Sequence, residues 1–269
     1  MQNRKIALLG CGNLGRIIMT GILNGTVKGY TPVAVMDVSE AARNAMAEYV
    51  GCKACASLEE VLACGPDIVV EATAPNPLKA LALPVLQAGV DLVSLSVGAY
   101  ADDEFAAKAK AAAEESGAHI YLPSGAVGGF DVINAVKMMG GLHARIVNTK
   151  PPYALNGAPM LNGRLLSETE TEELFRGSAR EAIRQFPHNV NVAVAVGIAS
   201  TGVDETEVVV TSQPGLELNC HRIELEGVFG EAVIDIRSAP SPDNPKSSTL
   251  AAWSVLSLLS RLQSHMCFF

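Results

Sequence analysis

Charge is in short supply in this chain, and positive charge most of all. Asp, Glu, Lys and Arg make up 18% of 269 residues, with 20 basic against 28 acidic side chains and a net charge of −8. No cluster of Lys and Arg occurs, which excludes the electrostatic footprint of a nucleic-acid binder. An anionic ligand must therefore be held locally, by backbone N–H groups and a few placed cations. Long apolar runs are missing too. Hydrophobic residues reach 49%, yet none of their stretches approaches the roughly 20 residues of a membrane helix. Met1-Gln2-Asn3-Arg4-Lys5 leads straight into a strand-like run, without the apolar core of a signal peptide. The expectation is a cytoplasmic protein with no membrane partner, its six cysteines free thiols. Cys52 and Cys55 form a C-x-x-C, but no second pair or histidine stands at zinc spacing, so no metal site is expected.

What the chain does have, up to Pro123, is alternation. Apolar runs at Lys5–Leu9, Val33–Asp37, Lys53–Ala56, Asp67–Glu71, Asp91–Ser96 and His119–Leu122 are separated by helix-like stretches near 13–24, 39–50, 57–63, 76–88 and 101–116. Ser39 and Ser57 read as N-caps, and Gly51, Gly89 and Gly117 stand where helices should stop. Runs that are apolar throughout, such as Ile68-Val69-Val70, fit a parallel sheet covered on both faces. The expected fold is α/β: an N-terminal doubly wound Rossmann sheet over residues 1–123, and a second, smaller α+β domain over 124–246. A C-terminal helix, 247–264, returns to the first domain.

In the second part a helix is expected near 130–140, a strand near 144–150, and a charged helix over 167–185. Asn189–Val196 is apolar and leaves strand and buried helix open. Runs at 205–212, 218–227 and 229–237 alternate like a half-exposed antiparallel sheet. The face of that sheet that needs cover suggests a homodimer or larger homo-oligomer.

Gly10-Cys11-Gly12-Asn13-Leu14-Gly15 follows the first strand and opens a helix. Gly10 permits the tight turn, Gly12 lets backbone approach a pyrophosphate, and Gly15 allows close helix–sheet packing. The helix start offers N–H donors and a favourable dipole, which makes Asn13 and Leu14 cofactor contacts as well. Asp37 closes the second strand at the distance expected of a ribose-binding carboxylate. That carboxylate favours NAD, while Arg43 one turn into the next helix keeps NADP open. Thr73 and the Ser124-Gly125-Ala126 loop follow strand ends, where ligands of such sheets bind.

Among five histidines, His221 has the most informative setting. Strand alternation puts it on one face with Ile223 and Leu225, opposite Arg222, Glu224 and Glu226. It points inward, either as a satisfied core histidine or as an acid/base in a dry site. His188, beside Pro187, has a weaker case. Lys150 and Lys246 are read as standing in proline-stiffened loops and are candidates for holding substrate carboxylates.

The chain resembles the L-aspartate dehydrogenases. The match is carried by Gly10–Gly15, by Ile120-Tyr121-Leu122-Pro123-Ser124-Gly125-Ala126-Val127-Gly128-Gly129, and by Phe186-Pro187-His188-Asn189-Val190-Asn191-Val192-Ala193. It continues in Asn219-Cys220-His221, Glu226–Glu231 and Pro240–Ser248. The resemblance implies oxidation of L-aspartate to iminosuccinate with NAD or NADP, and the reverse amination, with the imine feeding pyridine nucleotide biosynthesis or hydrolysing to oxaloacetate and ammonia. It makes His221 catalytic and assigns nicotinamide contacts to Ser124, Gly125, Ala126 and Asn191. Readings that stay open are a reductase of the dihydrodipicolinate-reductase or homoserine-dehydrogenase type and a non-catalytic dinucleotide sensor.

Overall fold

The computed structural model describes residues 3–187, 190–241 and 244–266. The chain divides into two compact units, Met1–Pro123 with Ala251–Phe269, and Ser124–Leu250.

The first unit is a six-stranded sheet in the order β3-β2-β1-β4-β5-β6. Its strands are β1 (Arg4–Leu9), β2 (Tyr30–Met36), β3 (Lys53–Cys55), β4 (Ile68–Glu71), β5 (Asp91–Ser94) and β6 (Ile120–Tyr121). Every pairing is parallel. The order reverses between β1 and β4, the switch point at which such sheets bind ligands. The helices are α1 (Asn13–Leu23), α2 (Glu40–Val50), α3 (Leu58–Ala63), α4 (Pro75–Gln87) and α5 (Asp103–Ser116). Ser39 caps α2 by accepting from the Ala42 N–H, Ser57 caps α3 from Glu60, and Asp102 caps α5 from Phe105. Gly51 and Gly117 end α2 and α5 in left-handed conformations that favour glycine. The fifth helix starts later than the expected 101, because Val97–Ala101 forms a 3-10 turn and Asp102 supplies the cap.

The second unit holds α6 (Phe130–Met139), β7 (His143–Lys150), α7 (Pro152–Leu155), β8 (Glu172–Ser178), α8 (Ala179–Gln185), α9 (Asn191–Ala199), β9 (Glu207–Ser212), β10 (Asn219–Gly227) and β11 (Gly230–Ser238). A short ribbon of β12 (Pro240–Ser241) and β13 (Asn244–Ser248) follows. The five-stranded sheet runs β11-β10-β7-β9-β8. Two expectations need correction. Residues 167–185 are not one helix: Glu172–Ser178 pairs antiparallel with β9, and α8 begins where Ser178 and Glu181 form a reciprocal capping box. The runs at 205–212 and 218–227 are not neighbours: β7 lies between them, parallel to β9 and antiparallel to β10. The ambiguous run is the helix α9, buried from Val192 to Gly197 and packed on β7, α6 and α8.

The closing helix, Thr249–Leu262, returns to the first unit as expected. Leu256 fills the space that Gly21 of α1 leaves open, and the Tyr30 hydroxyl donates to the Leu259 carbonyl at 3.0 Å. No helix among the described residues is long and apolar enough to cross a membrane.

Candidate functional site

In the first unit the glycines of the β1–α1 turn have different jobs. Gly10 has φ +97° and its N–H donates to the Met36 carbonyl. A methyl group there would press on the Ala72 carbonyl oxygen at 2.5 Å, and one at Gly15 would collide with the Gly10 carbonyl. Both glycines are required by the protein's own packing. Gly12 is not: its φ is −76°, and a methyl group would meet nothing within 4 Å. The protein's own packing does not demand glycine at that position. Glycine there suits the close approach of a pyrophosphate to the start of α1, so the residues fit a dinucleotide.

Asp37 follows β2 directly. Its carboxylate accepts the Cys11 N–H at 2.7 Å and the Ser39 N–H at 2.8 Å, tying the glycine turn to the strand end. Each oxygen keeps acceptor capacity for a ribose hydroxyl. Asn13 opens α1, and Leu14 packs on the core cluster. Arg43 faces Glu40 at 3.9 Å. Thr73 donates both its N–H (2.7 Å) and its hydroxyl (2.6 Å) to Glu71. Glu71, fully buried at the end of β4, also accepts from the Ser96 N–H and hydroxyl. Burial pushes this carboxyl upward and the four donors pull it back. Glu71 thereby locks the loops after β4 and β5, a role the sequence reading missed. The signal was a carboxylate ending an otherwise apolar strand.

In the second unit β10 places His221 inward, 2% exposed. Directly across on β7 stands Asn148, also buried, with 2.7 Å between His221 Nδ1 and Asn148 Oδ1. A carbonyl oxygen only accepts, so this contact puts the ring proton on Nδ1 and leaves Nε2 with its lone pair. Burial, reinforced by the charge of Lys150, pushes the His221 pKa down to about 3. Lys150, the last residue of β7, is buried, and burial lowers its pKa to about 8. The sequence reading placed it in a loop. It is a strand residue, one pleat from Asn148 on the same face.

The Ser124–Gly129 loop comes over this same face. A methyl group at Gly128 would touch Ile236, the cross-strand partner of His221, at 3.5 Å. Gly125, with φ +66°, lies beside Val192 near the start of α9. Ala126 is buried, Ser124 half-buried, and Asn191 is the first residue of α9. His221, Lys150, the loop and the start of α9 are thus gathered on one side of one sheet. Lys246 lies on β13, but its side chain falls outside the described residues, as does His188.

Comparison with known proteins agrees with this arrangement. Residues 10–123 match the family described as homoserine dehydrogenase, NAD binding domain, and residues 131–262 match aspartate dehydrogenase, C-terminal. The L-aspartate dehydrogenase of Methanosarcina mazei is 37% identical over 262 residues, which is 96% of each chain. The chain belongs to the aspartate dehydrogenase family. L-aspartate dehydrogenase 2 of Bordetella bronchiseptica is 36% identical over 97% of each chain, and the Methanocaldococcus jannaschii enzyme is 33% identical over 95% of each. Among solved structures, aspartate dehydrogenase from Thermotoga maritima superposes with a TM-score of 0.75 at 24% identity, covering both chains in full. A hyperthermophilic archaeal homoserine dehydrogenase reaches 0.62 at 12% identity, over 98% of this chain and 99% of that one. These two likenesses speak for the fold alone. The family's cofactor is a nicotinamide dinucleotide, NAD or NADP.

Proposed function

We propose that the chain is an NAD(P)-dependent L-aspartate dehydrogenase, with His221 as its acid/base. The observation that carries this reading is the His221–Asn148 pair beside Lys150 on the inner face of β7 and β10. Histidine with a fixed tautomer is the group that amine oxidation needs, and a buried ammonium is the group that a dicarboxylate needs. A bound nicotinamide dinucleotide supplies the hydride acceptor.

Before Cα of aspartate can release hydride, its ammonium must give up a proton. His221 Nε2 takes that proton, and Asn148 Oδ1 steadies the Nδ1–H opposite. Lys150 holds a substrate carboxylate. The same carboxylate cancels the Coulomb part of the depression of the His221 pKa, so binding raises the basicity of Nε2. Once that proton has passed to solvent, neutral His221 can take a second one, from the water that attacks the imine. Asp37 favours NAD, since a carboxylate repels a 2′-phosphate. Ser124, Gly125, Ala126 and Asn191 are the contacts assigned to the nicotinamide end.

A homo-oligomer belongs to this reading, supported by the exposed apolar side chains of Met138, Met139 and Val228. The open sheet face gives no such support, because Arg145, Arg222, Glu224 and Asp235 satisfy one another there. A cytoplasmic location fits the free thiols Cys11, Cys52, Cys55, Cys64 and Cys220. The deciding experiment measures initial rates of NAD and NADP reduction with a panel of amino acids. L-Aspartate is expected to exceed all others. A preference for homoserine, or no turnover of any amino acid with intact dinucleotide binding, would instead favour the related-reductase or sensor readings.

A further inference from the structure

Lys150 does not stand alone. Register places Ser212 of β9 beside it, and one step past the Cys220–Thr149 pair places Asn219 of β10 opposite it. Three strands therefore bring Asn219, Lys150 and Ser212 into one row on the face that carries His221. All three are buried, at 2%, 4% and 1% exposure. Among the described residues, the Asn219 amide has no partner for either its oxygen or its nitrogen, and the Ser212 hydroxyl has none. The Asn148 amide nitrogen, one pleat away, is likewise unpartnered. Among the described residues no carboxylate pairs with the Lys150 ammonium, and burial lowers its pKa. Buried polar groups are costly when unpaired, and a charge more so. A row consisting of one cation and several donors, with no anion, has the chemistry of a carboxylate site.

We propose that Asn219, Lys150 and Ser212 hold the side-chain carboxylate of the substrate, and so set a preference for dicarboxylic amino acids. This rests on the reading of the site as an amino-acid dehydrogenase. His221 must reach the amine on Cα. Residues two apart on a strand are separated by about 6.6 Å, so the row one pleat away suits the carboxylate farther from Cα. Asn219 and Ser212 are specificity-determining residues in this arrangement, and their donors read the second charge.

Succinate and butyrate differ by that second carboxylate and test the row without any turnover. In calorimetric titrations the parent protein is expected to bind succinate about tenfold or more tighter than butyrate. Asn219→Asp, which keeps shape and gives Lys150 an internal counterion, should abolish the margin. Ser212→Ala should reduce it, and in both variants butyrate affinity and dinucleotide affinity should hold and the melting temperature should not fall. A margin that survives both substitutions would overturn the proposal, as would its absence in the parent. A proportional loss of butyrate and succinate would do the same, since the row would then hold the carboxylate next to Cα. Turnover is read separately: oxidation of L-aspartate without a succinate margin removes the row's role and leaves the function standing. A margin without oxidation does the reverse.

Discussion

Burial and the neighbouring ammonium keep the His221 imidazole neutral down to about pH 3, so in the free protein it is a base throughout the working range. A histidine limb between pH 6 and 8, the usual sign of such a residue, is therefore not expected in kcat/KM. The group that titrates near there is Lys150, charged below about pH 8 and neutral above it. kcat/KM for L-aspartate should fall above about pH 8, and Lys150→Arg, which keeps its charge to much higher pH, should remove that fall even if it lowers the plateau. An unchanged alkaline limb in the arginine variant would detach Lys150 from substrate binding. His221→Asn keeps polarity and approximate size, and should lower turnover by roughly 10²-fold or more while leaving dinucleotide affinity within a factor of about two. Near-parental turnover would make His221 a core histidine. At this scale alternation with Ile223 and Leu225 made the inward face of His221 legible, while its role stayed open. The sequence was silent on Asn148, Asn219 and Ser212. Amides and hydroxyls carry no signature of their own, and only the strand register brings them together.

The strand β7 carries a cost to stability in its inward-facing row. Its even-numbered residues from Ala144 to Lys150 all face inward, and the last two positions of that row are polar. Lys150 has a folded-state pKa of about 8, below its ordinary 10.5. The folded chain thus holds this proton less tightly than the unfolded one, a cost fully present below pH 8 that disappears as pH rises towards 10.5. The difference is roughly 3 kcal/mol. Lys150→Met, similar in length and uncharged, is expected to raise the denaturation midpoint at pH 7 and to weaken substrate binding. An unchanged or lower midpoint would mean that Lys150 has a compensating partner. At the end of β2, Asp37 braces the glycine turn through the Cys11 and Ser39 N–H groups, and in the proposed reading it also presents charge to a ribose. Asp37→Asn keeps an acceptor and drops the charge, so the NAD to NADP efficiency ratio should fall by about tenfold, the scale of one charge-assisted hydrogen bond. No change would place the ribose elsewhere. Elements were legible where caps and periodicity agreed, as at Ser39, Ser57 and Gly51. They were misread at 167–185, where a charged strand and a charged helix adjoin and only the Ser178–Glu181 box marks the boundary. The position of β7 between β9 and β10 was not legible either. A strand from early in the unit enters the middle of the sheet, and no local pattern records that.

At the scale of the whole molecule, the dinucleotide turn and the polar row of β10, β7 and β9 belong to different compact units. The ligands proposed for them differ as well: one would be met by backbone N–H groups at a helix start, the other by a buried cation and side-chain donors. In a chain of net charge −8, neither ligand is drawn in by overall charge, so each depends on its own local donors. This allows the two to be separated by single substitutions. Gly12→Val introduces no backbone strain at φ −76°, and among the described residues its Cβ meets no atom within 4 Å beyond its own chain neighbours. The fold should tolerate it, with a melting temperature near the parent's, while the added side chain would occupy the space proposed for a pyrophosphate. Dinucleotide affinity should drop by at least about 100-fold, and succinate affinity should stay within about threefold of the parent's. Asn219→Asp is expected to give the mirror image, with dinucleotide binding intact and the succinate margin over butyrate lost. Gly10→Ala is the contrasting control, since its methyl group would press on the Ala72 carbonyl, and it should lower the melting temperature along with the affinity. If Gly12→Val instead bound NAD and NADP like the parent, the turn would be a structural feature of the sheet alone. If it removed succinate binding as well, the two recognition events would be coupled, and the independent roles argued for the glycine turn and for the row of Asn219, Lys150 and Ser212 would not hold.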